Sequence, residues 1–186
     1  MSDGGEATGG ADLLSIEALL MDPRRRKYAA MPEADPLTES DALQEAQLVD
    51  VRLDVVRSTA WLLFDCRGAL QMQMGNTAVL GAHGVRSFSW RGEPRGAFTA
   101  WTVVGSEPVA KDGVWSLSLP FVPRARLDME AASAEFFVGN VPGGDQAPPD
   151  YTEADDATIR AGVPSWISEF EPVHAVFLDP APPGSR

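Results

Sequence analysis

Between residues 47 and 140 apolar and polar residues alternate in short runs, each closed by a turn signal. Val49, Val51, Leu53 and Val55 alternate with Asp50, Arg52 and Asp54, the period of two of a strand with one buried and one wet face. Alternating charges on the wet face also discourage pairing with another chain. Ala60 to Phe64 is apolar without a break, which predicts a central strand covered on both faces. Asp65 and Arg67 then bracket Cys66 and point to one side. In the next run Leu70, Met72 and Met74 share one face and Gln71 and Gln73 the other, ahead of a Gly75-Asn76 turn. Thr77 to Ala82 and Val85 to Trp90 read as strands, with a bulge signalled by Gly81 and Gly84. Arg91 to Gly96 is dense in turn formers and predicts a hairpin returning along Ala97 to Val104, with Thr99, Trp101 and Val103 on one side. Lys111-Asp112-Gly113 predicts a second tight turn. Beyond it Trp115, Leu117, Leu119 and Phe121 alternate with Ser116 and Ser118, and Pro120 and Pro123 put the strand's end at an edge or bend. Ala125, Leu127 and Met129, then Glu135 to Val138, complete an antiparallel series.

The pattern changes period at both ends. Leu13, Ile16, Leu19 and Leu20 recur at helical spacing after Asp12, and Pro23 limits continuation, so residues 12–21 are predicted helical. Ser40 to Gln47 has room for one helical turn. Gly139 to Asp150 is a Pro- and Gly-rich loop, after which Thr152 precedes an acidic first turn, Ile159 faces inward and Gly162 marks the stop of a helix over 152–161. Trp166, Ile167 and Phe170 lead to a last strand over 173–178. Residues 1–11 and 179–186 carry too little apolar surface to offset the entropy of ordering and are expected to be disordered or frayed. The expectation is one mainly β domain over 12–178, an antiparallel sandwich or barrel of about 8–10 short strands with short helices near both termini.

Charge narrows the partners. A formal charge of −12 and a pI near 4.5 argue against nucleic acid, because affinity for a phosphate backbone comes from lysines and arginines displacing counterions. The one basic cluster, Arg24 to Lys27, sits among acids and reads as a solvated loop. No 18-residue apolar run occurs, and the acidic, Gly-rich start differs from the basic start of a signal peptide. A cytoplasmic protein with no membrane partner is therefore expected. The single Cys66, inside an apolar run, suits a buried thiol in a reducing compartment.

Candidate chemistry is sparse. His83 and His174 are far apart in sequence with no paired ligand beside either, so no metal site is expected; His83 reads as a strand-end residue and His174 as a solvent-facing one. Asp150, Glu153, Asp155 and Asp156 lack the spacing of a calcium loop and suit a helix start. No nucleophile elbow, phosphate loop or dinucleotide fingerprint occurs, so neither a catalytic residue nor a cofactor is assigned. Five tryptophans either fill the core or, at Trp90, Trp101 and Trp115, wall a ligand cavity.

The scarcity of lysine, isoleucine and asparagine fits a high-GC bacterial genome. The runs STAWLLFDCRGALQ, GNTAVL and GVRSFSW resemble the middle of an uncharacterised group of small actinobacterial β-rich proteins, loosely similar to immunity proteins of bacterial toxin systems. The resemblance covers residues 47–105 and transfers no site residue. Together with the acidity it implies a non-enzymatic interaction protein, an inhibitor whose acidic face, Asp150, Glu153, Asp155 and Asp156 with Glu169 and Glu171, meets a basic protein. The alternatives are a small-ligand-binding β-barrel and, below it, a hydrolase built on a buried carboxylate pair.

Overall fold

The computed structural model describes residues 14–21, 33–93, 101–151 and 153–179. In chain order the elements are β1 (Leu14–Ser15), α1 (Ile16–Met21), β2 (Gln47–Asp54), β3 (Thr59–Asp65), β4 (Thr77–His83), β5 (Ser87–Gly92), β6 (Trp101–Val103), β7 (Glu107–Lys111), β8 (Val114–Val122), β9 (Ala125–Ala131), β10 (Ser133–Asn140), α2 (Asp156–Gly162) and β11 (Glu169–Leu178). All strand pairs are antiparallel, in the order β1-β11-β10-β4-β3-β2-β6-β8-β9-β5, with β7 beside β8. Among the described residues the two end strands of this sheet do not pair with each other, and the sheet folds over in a sandwich-like arrangement.

The fold-over occurs at β6, which touches β2 only through Trp101↔Leu48 and Thr102↔Gln47 before passing to β8. One layer is β2, β3, β4, β10 and β11; the other is β8 and β9 with β5 and β7. The main core lies between them, Leu62, Phe64, Leu80 and Phe136 meeting Trp115, Leu119, Leu127 and Met129. A smaller second core lies on the outer face of the first layer. There Leu63, Val79 and Phe137 pack beneath Ile16, Leu19, Trp166 and Phe170.

Two cores explain the burial of each strand. Every residue of β3 from Ala60 to Asp65 is buried, as a strand between two apolar layers requires, and β4 and β10 follow suit. In β8 burial strictly alternates, Trp115, Leu117, Leu119 and Phe121 inward, and β9 repeats the pattern. The turn joining β7 to β8 has Asp112 and Gly113 at φ of 52° and 74°, the positive pair of a tight primed hairpin turn.

Several expectations need correction. The alternation of β2 does not set its burial: Leu48 is buried, whereas Leu53 and Val55 are exposed. An irregularity in register between Leu48 and Asp50 turns Val49 to the second core and Val51 to the main one, while Leu53 and Val55 lie near and beyond the strand's end. Asp50 and Arg52 consequently lie on the second-core face, where Asp50 accepts from Trp166 Nε1 at 2.7 Å and Arg52 stacks 4.8 Å over the same indole. Residues 66–76 form successive turns and no strand; Met72 alone of its face is deeply buried, while Leu70 and Met74 are exposed. β5 pairs with β9 and not with the chain returning along Trp101 to Val103; residues 94–100, including Thr99, lie outside the described residues. The first helix begins at Ile16, with Ser15 Oγ accepting from Ala18 N at 3.1 Å, because Leu14 and Ser15 are drawn into pairing with β11. Asp12, Leu13, the basic cluster, residues 1–11 and residues 180–186 lie outside the described residues. The second helix starts at Asp156, and the last strand begins four residues early, at Glu169.

The helical turn that Ser40 to Gln47 has room for does not form in residues 33–46. They run as turns, with Asp41 and Glu45 at positive φ, yet Ala34, Leu37, Ala42, Leu43 and Ala46 are all buried. Leu37 O accepts from Trp115 Nε1 at 2.9 Å, so this segment joins the main core.

Candidate functional site

The densest polar network gathers at the end of β3. Asp65 is 1% exposed, and Arg67, two residues on, folds back over it. Arg67 Nε donates to both carboxylate oxygens, at 2.9 and 3.1 Å, and Nη2 donates to Oδ2 at 2.6 Å. The same guanidinium donates through Nη1 to Gln146 O at 3.1 Å and through Nη2 to Gly162 O at 2.5 Å. Tyr151 Oη completes the group, donating to Asp65 Oδ2 at 3.3 Å. A fork of donors around a buried carboxylate is the geometry in which arginine pairs most strongly. The hydrogen bond to Asp65 holds the Arg67 guanidinium above its usual range, while burial and the Asp65 charge push the Tyr151 phenol up.

Around this network runs the acidic segment. Asp145, Asp150, Glu153, Asp155, Asp156, Glu169 and Glu171 are all exposed, and Arg160 is the one basic residue from 145 to 171. Seven acids less one arginine give −6, half of the chain's net charge of −12. Asp155 caps α2, accepting from Thr158 N at 2.7 Å, and these Thr158 bonds hold its carboxyl below the usual range. Asp150 Oδ1 accepts from Glu153 N at 3.3 Å. The structure thus gathers the first four predicted acids into the capped start of α2. Glu169 and Glu171 stand apart on β11, and a cleft of about 440 Å³ lined by Thr158, Gly162 and Ser168 adjoins both groups.

The predicted tryptophans separate. Trp115 is fully buried in the main core. Trp90 and Trp101 meet edge to face at 5.2 Å on the rim, where with Leu48, Val49, Val51 and Phe88 they line a shallow apolar groove of about 220 Å³.

The residues with reactive side chains are each absorbed by the fold. Cys66 is buried, and burial, with the Asp65 charge, pushes its thiol up and away from the reactive thiolate. His83 ends β4 and its Nε2 lies 2.8 Å from Glu135 Oε1, with the ring edge-on to Trp61 at 5.3 Å. His174 is buried beside Val138, which corrects its expected solvent-facing position: it falls on the main-core face of β11. Among the described residues Asp65 and Glu135 are the two buried carboxylates. Register places them on either side of β4 and four residues apart along it, roughly 16 Å in all, each with its own cationic or imidazole partner. They form no acid–base dyad. Among the described residues no group of three or more histidine, cysteine, aspartate or glutamate side chains could hold a metal ion. No helix among them is long and apolar enough to cross a membrane.

No family model, curated protein or solved structure matches the chain. The Asp65/Arg67 half of the network had a signal in the sequence, two opposite charges bracketing a buried cysteine. Tyr151 and the carbonyls of Gln146 and Gly162 had none, since nothing local marks a carbonyl that a distant arginine will reach.

Proposed function

We propose that this chain is a non-enzymatic binding protein whose acidic surface, from Asp145 through α2 to Glu171, docks a basic partner protein, as an inhibitor or immunity-like protein would. The observation that carries the reading is the charge asymmetry of that segment: seven exposed acids against Arg160 alone. Such a surface steers a basic partner during encounter and selects against acidic ones.

The test is affinity capture from the source organism with the wild-type chain and with the pair Glu153→Lys and Asp156→Lys. The reading expects a basic partner whose binding weakens with added salt and is lost on charge reversal. Recovery of no partner, or only of partners indifferent to both, contradicts it.

A second reading, a small apolar ligand, is favoured by the Trp90–Trp101 groove. Its volume of about 220 Å³ is below the usual range for ligand pockets of roughly 300–1,000 Å³, so only a small ligand fits. Saturable quenching of tryptophan fluorescence that disappears in Trp90→Ala supports it; its persistence in that variant does not.

A further inference from the structure

The Asp65–Arg67 pair reaches three separated points of one excursion of the chain. That excursion leaves the sheet after β10 at Val141, carries the Pro/Gly loop and α2, and returns at Val163. Its points of attachment to the pair are Gln146 O, Tyr151 Oη and Gly162 O. Of α2 only Ile159 is buried, and residues 145–148 of the loop are exposed throughout. Clefts of about 440 and 420 Å³ undercut the loop on its two sides, and Arg67 lines both. At the root, Asn76 fastens Val141 like a strand partner, its Oδ1 accepting from Val141 N at 2.9 Å and its Nδ2 donating to Val141 O at 3.0 Å.

We propose that Val141–Tyr151 together with α2 form a flap that the Asp65–Arg67 pair latches to the end of β3, a unit that detaches and re-seats as a whole while the two-layered sheet stays folded. Physical reasons favour one latch over many weak contacts. Each guanidinium–carbonyl bond is charge-assisted, and the one to Gly162 is partly buried, whereas exposed proline- and glycine-rich loop contributes little apolar burial. Both carbonyls share one donor group with the carboxylate, so removing the guanidinium releases Gln146 and Gly162 at once. The latch stands whatever the acidic surface meets, although it sets where that surface sits.

The test is amide hydrogen exchange on the full-length chain, read by peptide, for wild type, Arg67→Met, the double variant Asp65→Asn with Arg67→Met, and Tyr151→Phe. Arg67→Met alone leaves a carboxylate buried without its cation and can compromise folding for that reason. The double variant removes that burden while still lacking the donors to Gln146 and Gly162. In the folded variants lacking the guanidinium, exchange across 144–162 rises about tenfold to a hundredfold, the equivalent of one charge-assisted hydrogen bond, with β3, β4 and β10 unchanged. Tyr151→Phe, keeping the guanidinium, gives a smaller rise in the same peptides. Trypsin cleavage after exposed Arg160 accelerates in parallel. Equal loss of protection in the sheet and the flap, no change in the flap, or failure of the double variant to fold makes the pair part of the core and overturns the latch.

Discussion

β3 and β8 are both long, apolar strands of one sheet, yet they are built differently. β8 buries every second residue and leaves Ser116 and Ser118 partly wet, because only one of its faces meets a core. β3 buries all six residues from Ala60 to Asp65, because α1 and the Trp166–Phe170 turn lay a second core over its outer face. The consequence is an asymmetric molecule. Its first layer holds the deeply buried carboxyl groups of Asp65 and Glu135, and it carries the acidic segment on its far end. The second layer keeps its charges, Arg91, Arg126 and Asp128, at the surface.

The second core carries the largest part of the difference between the two layers. Phe137→Ala empties a site beneath α1 and should cost roughly 3–5 kcal/mol in chemical denaturation. A small loss would mean that α1 and Trp166 cover β10 only loosely. Gly81→Val tests the same face from below. Gly81 lies under the Trp61 ring, and an added Cβ would overlap it, so overpacking of about 1–3 kcal/mol and a displaced Trp61 in a crystal structure are expected.

The charges sharpen the contrast. His83→Ala leaves the buried Glu135 carboxyl without its hydrogen-bond partner among the described residues, a loss of about 1–3 kcal/mol by urea titration near neutral pH. Asp128 should matter less and only in acid. Partial burial pushes its carboxyl up, but hydrogen bonds from Arg126, Ser118 and Arg91 outweigh this and hold it at about 2. Because that lies below the ordinary value near 3.9, Asp128 contributes stability above about pH 4 that is lost as pH falls toward 2. Asp128→Asn should therefore flatten this part of the acid limb of a stability–pH curve and leave the His83 effect intact.

What was legible in the sequence follows the same division. Where one face is wet, alternation reported burial directly, as in β8 and β9; where both are covered, an unbroken apolar run did so, as in β3. Failures fell at the joins. β2 borders both cores, and a one-residue irregularity at Val49 reassigns its faces without any local sign. β5 passes to β9 because β6 is needed to link the layers, a topological choice that turn residues at 91–96 do not encode. The apolar residues of 33–46 have no period, yet five of them are buried in turns. At the candidate site, the acids of α2 and the Asp65/Arg67 spacing were visible, while the partners that make a network of them come from up to 95 residues away.

Native-state amide exchange of the wild-type chain tests the two-core asymmetry most directly. The account predicts that amides of β3, β4 and β10 exchange only through global unfolding, and that those of β5 and β7, at the margin of the singly covered layer, exchange through smaller openings. If β5 and β7 were protected as strongly as β3, or β3 and β10 opened first, the second core would not be the element that organises this molecule.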